Sequence, residues 1–115
     1  MLLNGGELQG VRLLRSETVK EMTRNQLPIE TLPMRLSGFP LPGTGFGLGV
    51  SVRLDTKSST PDPAAGEFGW NGAASTYFWV APNSEMVVIV LQQVEPYNFA
   101  LQMALQPTIY AAIER

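Results

Sequence analysis

The residues best placed for chemistry lie in Gly66–Pro82, which reads Gly-Glu-Phe-Gly-Trp-Asn-Gly-Ala-Ala-Ser-Thr-Tyr-Phe-Trp-Val-Ala-Pro and holds both tryptophans of the protein. Phe68 and Trp70 alternate with smaller residues. Thr76-Tyr77-Phe78-Trp79-Val80 is an aromatic and β-branched run suited to a pleated, half-buried surface. Between them, Asn71-Gly72 is the dipeptide that most readily supplies positive φ at a turn. Gly72, Ala73, Ala74 and Ser75 are small, so a ligand can approach the backbone closely at that corner. The pattern is a strand, a tight connection and a second strand. Glu67 sits beside the corner and reads as a surface charge at a strand end, with a substrate-edge role as the alternative.

Side-chain chemistry is narrow. The chain has no histidine and no cysteine, which excludes a histidine-based triad, zinc sites built on His and Cys, and disulfides. Its ten carboxylates are scattered, and the only two aspartates, Asp55 and Asp62, fall in one polar loop. They read as solvated loop charges, with a carboxylate metal site as the less favoured alternative. No metal and no cofactor is expected. Net charge is −2 and there are only two lysines, Lys20 and Lys57, so phosphate neutralisation and with it nucleic-acid binding are not expected. The longest apolar run, Met86–Leu91, is far short of the ~20 residues of a membrane span.

The surrounding elements follow from patterning. At 115 residues, with 44% hydrophobic and 16% charged residues, the chain is globular and forms one domain at most. Met1–Gly6 reads as the last turn of a helix closed by Asn4 and Gly5, yet three residues are too few to nucleate one. Those residues fit either an element begun upstream or a frayed loop. Leu8–Leu14 is a short connection with a weak hairpin signal. Ser16 is placed to cap a helix from Glu17 to Asn25, with Val19 and Met22 as its apolar stripe. Pro28, Pro33, Pro40 and Pro42 predict an irregular loop to Gly45.

Phe46, Leu48, Val50, Val52 and Leu54 alternate with small or polar residues, which predicts one strand over 46–54. The glycines at 43, 45, 47 and 49 are not a dinucleotide fingerprint, which needs a helix to follow, and instead make room for something packing on the strand. Asp55–Ala65 reads as an exposed polar loop. Met86–Leu91 reads as a strand covered on both faces. Asn98 caps a final helix with Leu101, Leu105, Ile109 and Ile113 in phase across Pro107, either kinked or split in two. The fold class is α+β, an antiparallel sheet of about four strands with a helix on its N-terminal side and a C-terminal helix packed on it.

Three stretches carry a resemblance. Met1-Leu2-Leu3-Asn4-Gly5-Gly6-Glu7-Leu8 with Leu14–Val19, then Gly45-Phe46-Gly47-Leu48-Gly49-Val50, then Phe68–Pro82 resemble, in order and at matching spacing, the serine β-lactamase-like superfamily. That superfamily comprises class C β-lactamases, penicillin-binding proteins and family VIII esterases. Trp70-Asn71-Gly72 occupies the place of its third motif, Lys-Thr-Gly or its His-x-Gly and Trp-x-Gly variants. The resemblance implies that Ala73 supplies one backbone oxyanion donor and that Trp70, Asn71 and Gly72 line the substrate. A tryptophan in place of lysine implies an ester or amide substrate less dependent on a carboxylate clamp.

The superfamily's Ser-x-x-Lys and Tyr-x-Asn motifs are absent: Lys20 stands four residues from Ser16, and Tyr97-Asn98 lacks the intervening residue. Without an activated serine there is no covalent route for acyl transfer. The resemblance therefore implies a C-terminal portion of such a domain over 1–115, cut at its N-terminus, inactive alone and prone to self-association through exposed surface. A non-catalytic α+β binding or assembly module is the rival reading of the same residues.

Overall fold

The computed structural model describes residues 1–36, 38–54 and 64–113. Two short hairpins, β1 (Glu7–Leu8) with β2 (Val11–Arg12) and β3 (Arg35–Leu36) with β4 (Phe39–Pro40), flank a helix α1 (Ser16–Met22). A five-stranded antiparallel sheet follows in simple sequential order: β5 (Thr44–Phe46), β6 (Ser51–Arg53), β7 (Phe68–Asn71), β8 (Tyr77–Ala81) and β9 (Met86–Val90). Helix α2 (Ala100–Ala112) closes the described chain. The α+β class and antiparallel sheet stand as expected from the patterning.

Side-chain alternation on β7 and β8 builds two cores, one per face. Val50, Val52, Phe68 and Val80 form one, with Leu2, Leu3 and Phe78 packed against it. Tyr77, Trp79 and Ala81 form the other, beneath Ile109 and Tyr110 of α2. Burying side chains of this size contributes roughly 1.5–3 kcal/mol each, which is what fixes the register against a one-residue slip. The pairings Phe68↔Val80 and Gly69↔Trp79 put each apolar residue on its own face.

Several elements depart from expectation. The predicted strand over 46–54 reverses on itself: Phe46 pairs with Ser51 and Gly45 with Val52, so β5 and β6 are two strands and the sheet has five. Alternation specifies which residues share a face but not that the chain runs straight. Gly49, at φ +90, supplies the reversal, with Leu48 exposed at its tip. The predicted loop from Pro28 to Gly45 holds a one-turn helix at Ile29–Thr31, the β3–β4 hairpin and the start of β5. Helix α1 ends at Met22, and Arg15, not Ser16, is its cap; the Ser16 hydroxyl donates to Glu17 Oε1 instead.

Strand β9 is the edge of the sheet and is not covered on both faces. Val87 is 48% and Ile89 65% exposed. The expected polar loop falls largely on 55–63, which lie outside the described residues, as do Asp55, Lys57 and Asp62.

Other expectations stand. Leu2–Asn4 forms a single helical turn closed by Gly5 at φ +58. Residues 7–12 form the weak hairpin. At α2 the N-cap residue is Phe99 and not Asn98, although Asn98 Oδ1 accepts the Ala100 N–H at 2.7 Å, and the helix is one that runs through Pro107, not two. Among the described residues no helix is long and apolar enough to cross a membrane.

Candidate functional site

Strand β7 delivers Trp70 and Asn71 to the corner, and β8 leaves it at Tyr77, their pairing partners being Phe78 and Tyr77. The corner itself is 72–76. Gly72 N–H donates to the Thr76 carbonyl at 2.7 Å and Ser75 N–H to the Gly72 carbonyl at 3.0 Å. The positive φ falls on Ser75, at +65, and not on Asn71 or Gly72 as the dipeptide preference predicts. Ser75 tolerates it because its side chain is tied down. The Ser75 hydroxyl donates to the Val94 carbonyl at 2.7 Å and accepts the Asn98 N–H at 3.0 Å. With 1% exposure, this serine is a structural tie, unavailable as a nucleophile.

The four residues singled out from the sequence come together. Trp70, Asn71 and Gly72 are half-buried and Ala73 is exposed. Among the described residues, the Ala73 N–H has no hydrogen-bond partner. An amide left free beside small side chains can stabilise developing negative charge on an approaching oxygen. Trp70 is held edge-on against Phe46 at 5.0 Å between ring centroids, so its indole is a fixed apolar wall.

Trp70 and Asn71 stand between two clefts. One, of about 640 Å³, runs toward α2 and includes Trp79, Tyr97 and Phe99. The other, of about 270 Å³, is walled by Phe78, Ile89 and Leu91.

Two groups escaped the sequence reading. Glu67 is 6% exposed and not a surface charge; Tyr110 donates its hydroxyl to Glu67 Oε1, and Gln106 donates to Oε2 at 2.8 Å. This carboxylate pins α2 to the sheet across 43 residues of sequence, a separation that no local pattern signals. Tyr77 and Trp79 stack with nearly parallel rings, 4° apart. Tyr77 Oη and Trp79 Nε1 are buried without a partner among the described residues. Burial pushes the Tyr77 phenol above its ordinary value, and Tyr97 moves the same way through burial and the nearness of Tyr77. Among the described residues no cluster of three or more His, Cys, Asp or Glu could hold a metal ion.

No family model matches the chain. Two curated proteins of Mycobacterium tuberculosis, "Protein Rv1367c" and "Uncharacterized protein MT1414", are each 35% identical over 97 residues, covering 81% of this chain and 24% of their own length. The chain thus spans about a quarter of the curated relatives it matches. Among solved structures, unliganded simvastatin synthase (LovD) from Aspergillus terreus overlies 99% of this chain and 31% of its own, with a TM-score of 0.70 at 20% identity. A second unliganded structure of that protein gives 0.64 over 96% of this chain at 23% identity. The likeness establishes the fold alone, an α+β arrangement with an antiparallel sheet similar to that of LovD.

Proposed function

We propose that this chain is the C-terminal, oxyanion-strand portion of a β-lactamase-like enzyme that transfers an acyl group from an ester or amide through an acyl-enzyme. Trp70, Asn71 and Gly72 line the acyl donor, and the Ala73 N–H donates to the carbonyl oxygen as it gains charge. The nucleophile, its base and the tyrosine equivalent belong to sequence outside these residues. The observation that carries the reading is the unpartnered Ala73 amide on an exposed small-residue corner, next to a fixed aromatic wall. The part-length matches support it as well, since three quarters of each curated relative lies outside the region of likeness. Hydrolysis and transfer to an alcohol use the same half-site, and the acceptor is selected elsewhere.

The rival, a non-catalytic α+β module, is separated by one assay series. The 115-residue chain alone is expected to leave a p-nitrophenyl ester and a chromogenic cephalosporin unchanged, and turnover by it would sink the split-site account. With the preceding genomic sequence joined to it, turnover is expected. An upstream frame without Ser-x-x-Lys would favour the non-catalytic module. In that longer, active protein, Ala73→Pro removes the amide donor and should lower kcat by about 10²–10³, while Ala73→Gly, which keeps it, should retain most activity.

A further inference from the structure

The peptide unit between Gly72 and Ala73 carries two groups that point in opposite directions, the Gly72 carbonyl and the Ala73 N–H. A partner that holds one of them aims the other. The Gly72 carbonyl accepts the Ser75 N–H at 3.0 Å, and Ser75 is buried while Ala73 is exposed. The carbonyl therefore turns toward the buried serine, and the Ala73 N–H turns away from it to the open side of the corner. That bond depends on the left-handed backbone of Ser75, at φ +65, a conformation that a residue with a Cβ disfavours.

Hydrogen bonds from the connection between β9 and α2 offset that cost. The Ser75 hydroxyl donates to the Val94 carbonyl at 2.7 Å and accepts the Asn98 N–H at 3.0 Å. Gln92 Nε2 donates to the Ser75 carbonyl, and the Val94 N–H donates to the Ala74 carbonyl at 3.1 Å. We propose that Ser75 is a positioning residue for the Ala73 amide: its left-handed backbone, held by Gln92, Val94 and Asn98, keeps the 72–73 peptide turned with its N–H outward. This role rests on the functional reading above for what the amide does, and on the corner's own hydrogen bonds for how the amide is aimed.

Without the hydroxyl, φ at Ser75 relaxes toward negative values and the bond to the Gly72 carbonyl opens. The 72–73 peptide then rotates and carries its N–H off the line to the substrate carbonyl. Trp70 and Asn71 keep their places on β7, so substrate binding changes little and the loss falls on the transition state. An amide aimed correctly for part of the time keeps part of the factor of about 10²–10³ that such a donor contributes.

The test uses the longer, active protein, with rates expressed per folded molecule and the folded fraction read by circular dichroism. Ser75→Ala should lower kcat about tenfold while KM stays within about twofold of the parent. Ser75→Gly also lacks the hydroxyl but adopts positive φ freely, so it should recover part of that loss. Gln92→Ala loosens Ser75 from a half-buried position and should lower kcat about two- to threefold, which decides the matter if Ser75→Ala does not fold. Parental kcat in the deciding variant, a loss carried by KM, or a Ser75→Gly no better than Ser75→Ala overturns the positioning role. Ala73→Pro is the control: if it leaves kcat unchanged, the amide is not a donor and the functional reading falls with the positioning role. If Ala73→Pro costs the expected factor and the deciding variant costs nothing, the positioning role falls alone. On the 115-residue chain, where no turnover is needed, amide NMR relaxation should report a rigid Ala73 N–H in the parent and added motion confined to 72–76 in Ser75→Gly. An Ala73 amide equally rigid in both overturns the positioning role whatever the activity of the longer protein.

Discussion

At the β5 edge of the sheet, the segment after α1 lies along the strand and takes up its open groups. Gln26 N–H donates to the Phe46 carbonyl at 2.7 Å, Asn25 Oδ1 accepts the Phe46 N–H at 3.1 Å, and Leu48 N–H donates to the Met22 carbonyl at 3.0 Å. That approach needs glycine beneath it, since a Cβ on Gly47 would lie 1.9 Å from the Met22 carbonyl oxygen. At the β9 edge the reverse holds: the strand carries large β-branched residues, nothing among the described residues lies along it, and two buried polar atoms behind it, Tyr77 Oη and Trp79 Nε1, lack partners. The contrast teaches that one half of the sheet is completed by sequence close to it in the chain. The other edge is left open among the described residues. Buried donors without partners cost free energy that a finished core ordinarily avoids.

The largest test removes the cover. Gly47→Val places a side chain into the Met22 carbonyl and should cost about 3 kcal/mol or more, read as a shift of the urea midpoint. A near-neutral result would mean that the segment is not held against β5.

Next in size, Ser75→Ala strands the Val94 carbonyl and Asn98 N–H in a buried site and should cost about 2–3 kcal/mol by the same measurement. Ser75 is the local tie on the incomplete half, so a small effect would show that half to be looser still.

Asn25→Ala should cost about 1–2 kcal/mol. It deletes the acceptor shared by the Leu27 and Phe46 amides, and faster hydrogen exchange at Phe46 should accompany it.

The smallest effect is expected at Tyr77→Phe, which should raise stability at neutral pH by up to about 1 kcal/mol, because the buried hydroxyl it removes has no partner among the described residues. Its signature is in pH. Burial holds the Tyr77 phenol above its ordinary value of 10.0, so the unfolded chain releases this proton first. Stability that is complete below about pH 10 therefore falls as pH rises further, and Tyr77→Phe should flatten that fall in pH-dependent melts, leaving the part due to Tyr97.

The corner between the aromatic strands, at 72–76, was legible from the chain because its signal is contiguous: aromatic residues in alternation, then small ones. Glu67 was not, because its partners Gln106 and Tyr110 lie on α2, and a carboxylate at a strand end reads as solvated until a helix is packed on it. The role of the glycines at 45 and 47 was legible as room for a neighbour, but which neighbour was not, since Met22–Gln26 reaches them only after the chain has folded back.

By itself the sequence determined the α+β class, the aromatic hairpin, the final helix and the absence of any histidine or cysteine chemistry, since propensity, periodicity and composition act locally. Tertiary structure decided what those signals cannot carry. It turned one alternating stretch into two strands, because period two constrains faces and not direction. It moved positive φ from Asn71-Gly72 to Ser75, because Val94 and Asn98 hold that side chain. It left β9 at the edge with Val87 and Ile89 in solvent, because a strand's cover depends on which other segments reach it and not on its own residues.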